Sequence, residues 1–176
     1  ALSGEIGFKE YLEKVDAYYK NGLDSGYEGD FKTEVECVEA AKAVYALCLN
    51  ESLSKHGQDI GTEQVIIENL ANILIYAYVG DSTLSRVIQN KDLYVQKNQV
   101  VPELCAKVYT AEQGIRVMEY ANKILNSIYD GEVPKELESK FAKLSKRLSL
   151  STDTIGLKKI IGEKVVEAGG YPVQSF

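Results

Sequence analysis

The chain has 176 residues, long enough for one domain with a real core. A hydrophobic fraction of 45% excludes a disordered chain, and a net charge of −6 argues against a general nucleic-acid binder. With one histidine, three cysteines and no CxxC pair, no ordinary zinc site can be assembled.

The cysteines, Cys37, Cys48 and Cys105, fall within helical patterns and read as buried free thiols of a reducing compartment. A cytoplasmic location is therefore expected. No signal peptide or apolar run of membrane length is present. The front of the chain lacks an initiator methionine, so the sequence is read as part of a larger chain.

In chain order, Ser3 is placed to cap a first helix over about residues 4–21, with Phe8, Tyr11, Leu12, Val15, Tyr18 and Tyr19 on one face. Phe8, Tyr11 and Tyr18 are the expected docking patch if the chain packs on a larger protein. The segment NGLDSGYEGD, from Asn21 to Asp30, carries three glycines and reads as a connector. Residues 1–30 are thus an N-terminal helix and connector, and residues 31–176 the helical bundle, one domain overall.

Thr33 with Glu36 forms a capping-box pattern before a helix running to about Lys55. His56-Gly57 ends it, with Gly57 as the C′ residue, and the short turn to Gly61 makes the next helix an antiparallel neighbour. That next stretch, Gly61 to Asn90 with Thr62 as N-cap, is the one around which the chain is organised. Val65, Ile66, Leu70, Ile73, Leu74, Ala77, Leu84, Val87 and Ile88 recur at helical spacing, while Ile67, Ile75, Tyr76, Tyr78 and Val79 fall outside that stripe. A helix apolar nearly all round is expected to be enclosed by several partners.

KDLYVQKNQ reads as a loop or short turn. Pro102 opens a helix to about Tyr129 with Leu104, Val108, Ala111, Ile115, Met118, Ala121, Ile124, Leu125 and Ile128 as its buried stripe. Pro134 opens another to Leu148, apolar at Leu137, Phe141, Leu144 and Leu148. Its other face carries Lys135, Lys140, Lys143, Lys146 and Arg147 against Glu136 and Glu138, a local +3. That amphipathic helix, 134–148, has a membrane-surface reading. An ordinary outer bundle helix is favoured, because the chain is acidic as a whole. A last helix spans about Thr154 to Ala168 with Leu157, Ile160, Ile161, Val165 and Val166 as its apolar set, and YPVQSF is a tail. No convincing strand occurs.

Catalytic patterns are missing. His56 sits beside a helix-ending glycine, no triad can be built around it, and no phosphate-binding glycine motif exists. The unusual polar set is Asn69, Asn72, Asp81 and Arg86 on the central helix. It reads as a structural polar network with some hydrogen bonds between helices, ahead of a ligand site. Arg86, five residues on, is obliquely placed for an intrahelical pair with Asp81, and a partner on another helix, such as Arg116 or Lys107, is equally expected.

Several motifs are more specific. Ala41-Lys42, then Gly57-Gln58-Asp59-Ile60, Glu63-Gln64, Asn69 to Asn72, a tyrosine-rich segment, and Asp81-Ser82-Thr83-Leu84-Ser85-Arg86-Val87 follow one another in that order. This series resembles the C-terminal helical extension of acyl-CoA dehydrogenases of the very-long-chain type and their bacterial relatives, with a clear match over roughly a third of the chain. The resemblance implies an all-α antiparallel bundle of four main helices with additional shorter ones. It also implies a preceding catalytic domain that holds FAD and a glutamate base, and a homo-oligomeric parent enzyme. No flavin or base motif occurs here, so the resemblance carries over no catalytic, cofactor-binding or metal-binding residue. The expected function is a non-catalytic accessory or interaction domain of an FAD-dependent acyl-CoA dehydrogenase of fatty-acid β-oxidation. The rival is a free-standing bundle binding a small apolar ligand or a protein partner.

Overall fold

The computed structural model describes residues 2–173, with the side chains of residues 2–6 and 19 outside the description. Helices α1 (Leu2–Asn21), α2 (Lys32–His56), α3 (Gln64–Gln89), α4 (Lys91–Gln96), α5 (Val101–Ile128), α6 (Lys135–Leu148) and α7 (Thr154–Ala168) follow in order. A 3-10 turn, Gly57–Thr62, links α2 to α3. The fold is an all-α antiparallel bundle. Helices α2, α3 and α5 pack mutually, α6 lies on α2 and α5, α1 on α2, and α7 on α5.

The enclosed helix is α2, not α3. Ala40, Ala43 and Ala46 of α2 are 1% exposed or less, and Val44 and Cys48 are sealed as well. Small side chains let α1, α3, α5 and α6 approach α2 from several directions, so its burial does not show up as a single apolar stripe. Helix α3 buries only one face, with Ile66, Asn69, Leu70, Ile73, Ala77, Gly80, Leu84 and Val87 inward. Of its extra apolar residues, Ile67, Ile75, Tyr78 and Val79 face outward, with Ile75 54% exposed and Tyr78 70%, while Tyr76 packs against the core and stacks on Tyr120. Ile75 and Tyr78 lie outside the periodic stripe, and the all-round apolar character that reads as enclosure by several partners is here an exposed apolar face.

Two apolar clusters hold the bundle. The larger runs from Val15 and Leu23 through α2, α3 and α5 to Leu137, Leu144 and Leu148. The smaller closes the end where α2 starts, with Phe31, Val38, Leu84, Val87, Tyr94 and Ala106. Tyr94 anchors the short α4, which the polar composition of its segment does not reveal. Phe8, Tyr11, Leu12 and Tyr18 pack against the larger cluster, so the face of α1 expected to dock elsewhere is occupied within the chain. Helix α7 has no buried residue. Ile155 and Val166 are over 80% exposed, and Ile115 of α5 is exposed rather than buried.

Several helix starts differ from the expected caps. The N-cap of α2 is Phe31 without a side-chain bond, and Thr33 lies inside the helix. Glu36, the supposed box partner, instead accepts a 2.7 Å hydrogen bond from Arg147 of α6. Thr62 donates back to the Asp59 carbonyl and so closes the 3-10 turn, leaving Glu63 at the N-cap of α3. Ser3 lies within α1, and its side chain is outside the described residues. Asp153 caps α7, accepting from the Gly156 backbone N–H at 2.9 Å. Gly57, at φ 55°, terminates α2 as expected.

Gly114 carries the tightest helix contact. A Cβ there would lie 2.1 Å from the Leu148 carbonyl oxygen and 3.1 Å from Cys37 Sγ. Gly114→Ala is expected to lower stability by about 1–3 kcal/mol despite alanine's better helix propensity, because the end of α6 must move off α5. Urea unfolding of the two proteins measures it.

Candidate functional site

The polar residues singled out on the central helix point different ways. Asn69, 8% exposed, donates from Nδ2 to the Val65 carbonyl of its own helix at 2.7 Å. Asp81 accepts a 2.9 Å hydrogen bond from Lys42 Nζ, and the same lysine reaches Glu39 at 2.8 Å. This ties α3 to α2. The anticipated partners are engaged elsewhere: Lys107 sits over the Phe31 ring at 5.5 Å, and Arg116 lies 3.7 Å from Glu119. Asn72 is half-buried and Arg86 exposed, both away from the core.

Other polar contacts act as cross-braces. The Tyr129 hydroxyl donates to Glu51 at 2.5 Å, joining the end of α5 to α2. That hydrogen bond and partial burial push the Tyr129 phenol up to about 12. His56 Nδ1 lies 3.7 Å from Glu63, across the α2–α3 turn.

The thiols divide into two kinds. Cys37 and Cys48 are buried, whereas Cys105 is exposed, against the expectation of three buried thiols. Burial, helped by the charge of Glu34, pushes Cys37 up to about 12, and burial pushes Cys48 up as well. An unfolded thiol releases its proton near the ordinary 9.0, while the folded Cys37 keeps it to about 12. The folded state therefore binds more protons in that window, and stability falls as pH rises through it. Urea midpoints are expected to drop steadily between pH 9 and 12. At pH 8, iodoacetamide should modify Cys105 alone, and unfolding should expose the other two.

The basic helix α6 uses its apolar face inside the bundle, where Leu137, Leu144 and Leu148 are buried. Its charged face borders a groove of about 450 Å³ against α1, lined by Tyr18, Leu23, Lys143, Lys146 and Arg147. Among the described residues no helix is long and apolar enough to cross a membrane, and no cluster of His, Cys, Asp and Glu could hold a metal ion.

The gap between α2, α3 and α5, lined by Cys37, Val38, Tyr76, Ala77, Gly80, Tyr109 and Gly114, holds only about 10 Å³. That is room for about one water.

What stands out instead is a surface. The outer face of α3 exposes Ile67, Leu74, Ile75, Tyr78 and Val79, from 36% to 70% each. Contiguous apolar side chains on a helix otherwise well packed mark an interaction face.

Comparison with known proteins agrees with this architecture. A family model described as acyl-CoA dehydrogenase, C-terminal domain, matches residues 40–142, more than half of the chain. The crystal structure of an acyl-CoA dehydrogenase complexed with FAD from Bacillus anthracis superimposes with a TM-score of 0.82 at 20% identity. The alignment covers 98% of this chain and 29% of that one, so the chain spans under a third of the length of that protein. No curated protein matches. The family match takes in most of α2, all of α3, α4 and α5, and the first half of α6, and the chain belongs to the acyl-CoA dehydrogenase C-terminal domain family.

Proposed function

We propose that the chain is a non-catalytic accessory domain of an FAD-dependent acyl-CoA dehydrogenase, acting in fatty-acid oxidation in the cytoplasm. Its work is to carry subunit or partner contacts for a catalytic part that holds the flavin. The observation that carries this reading is the exposed apolar face of α3, since a self-sufficient bundle of this size has no use for Ile75 and Tyr78 in water.

Supporting it, the gap between α2, α3 and α5 holds only about 10 Å³, and the Lys42–Asp81 and Tyr129–Glu51 contacts brace helices against one another. The Lys42–Asp81 contact fixes the register of α3 on α2 and has a structural part in this reading. The paired organisation, residues 1–30 as arm and connector and 31–176 as bundle, serves the same end. Membrane attachment through α6 is disfavoured, because its apolar residues already pack against the bundle.

The test is a division of the parent enzyme. The part lacking this segment is expected to keep the flavin, and the 176-residue chain to be colourless and without acyl-CoA dehydrogenase activity. Flavin carried by the isolated 176-residue chain would overturn the reading.

A further inference from the structure

Helix α7 is 15 residues long and buries none of them. Only its first half is seated. Thr154, Gly156, Leu157 and Ile161 are half-buried, while every residue from 162 to 168 is exposed. A groove of about 300 Å³ separates its last turn from the start of α5, lined by Val100, Val101, Lys164, Glu167 and Ala168.

The sequence of α7 does not hold a helix by itself. Eight of its 15 residues are glycine, threonine, isoleucine or valine, types of low helix propensity. A helix this short is marginal in water even for better sequences. Helix α7 is therefore helical because it is docked, and leaving α5 means unfolding.

Its seated half nevertheless covers something. Val108 is 8% exposed and Ala111 3%, yet neither belongs to the two apolar clusters. Val108 stands two residues, about 200°, around α5 from Thr110, which lines the gap against α2. It therefore points away from the core of the bundle. Glu112, one turn beyond Val108 on that side, accepts a hydrogen bond from Lys158 of α7. Helix α7 is what keeps Val108 dry. The attachment is slight: Leu157 and Ile161 give one apolar line, and the Lys158–Glu112 pair stands largely in water, where ion pairs add little. In α2, by contrast, Ala40, Ala43, Val44 and Cys48 are sealed completely.

We propose that α7 is a strap that leaves α5 and unfolds as one unit while the rest of the bundle stays closed, uncovering the apolar strip of α5 at Val108 and Ala111. The hinge is the non-helical segment 149–153. Opening joins that strip to Ile115, four residues beyond Ala111 and already exposed. The strap is independent of the accessory-domain reading, since it follows from the packing of this chain alone.

Hydrogen exchange of the 176-residue chain separates the two openings. Amides of residues 158–165 are expected to be protected relative to a free peptide, yet to exchange about a hundredfold faster, or more, than those of residues 40–48. A Cβ at Gly162 meets no atom within 4 Å. Gly162→Ala should therefore slow exchange in α7 about fivefold through helix propensity alone. Ile73→Val, a small cut in the core, should speed exchange of residues 40–48 about two- to tenfold. It should leave α7 unchanged, because the strap opens with Ile73 still packed.

A thiol reads the uncovered strip directly. In a Cys105→Ser background, Val108→Cys should react with dithionitrobenzoate about a hundredfold faster than Cys37 and Cys48, which wait for the bundle to open. Four results would each overturn the strap: exchange of α7 at the rate of α2, exchange of α7 at the free-peptide rate, equal acceleration of both helices by Ile73→Val, or a Val108→Cys thiol no faster than Cys37.

Discussion

Replacing Phe31 by alanine is expected to lower stability by about 3–5 kcal/mol, roughly 10 °C or more in Tm for a chain of this size. Phe31 is 1% exposed and sits at the N-cap of α2, where no side-chain hydrogen bond holds the helix end. Its ring fills the smaller apolar cluster with Val38, Leu84, Val87, Tyr94 and Ala106, and Lys107 Nζ lies 5.5 Å from its centre. Truncation leaves a cavity shared by the starts of α2, α4 and α5 and the end of α3, and removes the cation's aromatic partner. The variant should also fray at α4, whose only buried residue is Tyr94. Calorimetry gives the loss, and hydrogen exchange of residues 91–96 reports the fraying. A loss under about 1 kcal/mol would mean that the cluster can collapse onto the gap.

Two isoleucines on α3 separate its two faces. Ile73 is 0% exposed at the junction with α2 and α5, and Ile73→Ala is expected to cost about 2–5 kcal/mol. Ile75, two residues on, is 54% exposed, and Ile75→Ala should change the stability of the monomer by no more than about 0.5 kcal/mol. Both are measured by urea unfolding at a dilution where the chain is monomeric. Similar losses at the two positions would mean that α3 is covered on its outer side within the chain itself.

Much of the bundle is legible in the amino-acid sequence. Helices α3, α5 and α6 carry 3.6-residue apolar stripes that the fold buries, and the glycines and prolines at Gly57, Pro102, Gly131, Pro134 and Gly169 mark helix ends. The α2–α3 pair is legible because a turn as short as Gly57–Thr62 leaves no other arrangement. The number of neighbours around a helix is not legible. The alanines of α2 look bland in a pattern of hydrophobicity yet allow approach from several sides, while the bulky residues of α3 look like core and face water.

Caps depart from expectation for a related reason. Thr33 and Glu36 match a capping box, but Glu36 is drawn off by Arg147, a residue 111 positions away. Asp81 pairs with Lys42 rather than Arg116 for the same cause, since ion-pair choice follows helix register that a single sequence does not contain. The candidate interaction face is in plain view as the residues outside the stripe. Ile67, Ile75, Tyr78 and Val79 lie off that stripe, but a helix apolar on both sides reads as one enclosed by several partners, and that reading hides the exposed face.

The most direct measurement of the central claim is the intact mass and visible spectrum of the native protein, isolated from its source with an antibody raised to this chain. A species much heavier than 19.5 kDa, with a flavin band that bleaches on adding an acyl-CoA, is the predicted result. A colourless species near 19.5 kDa would contradict it.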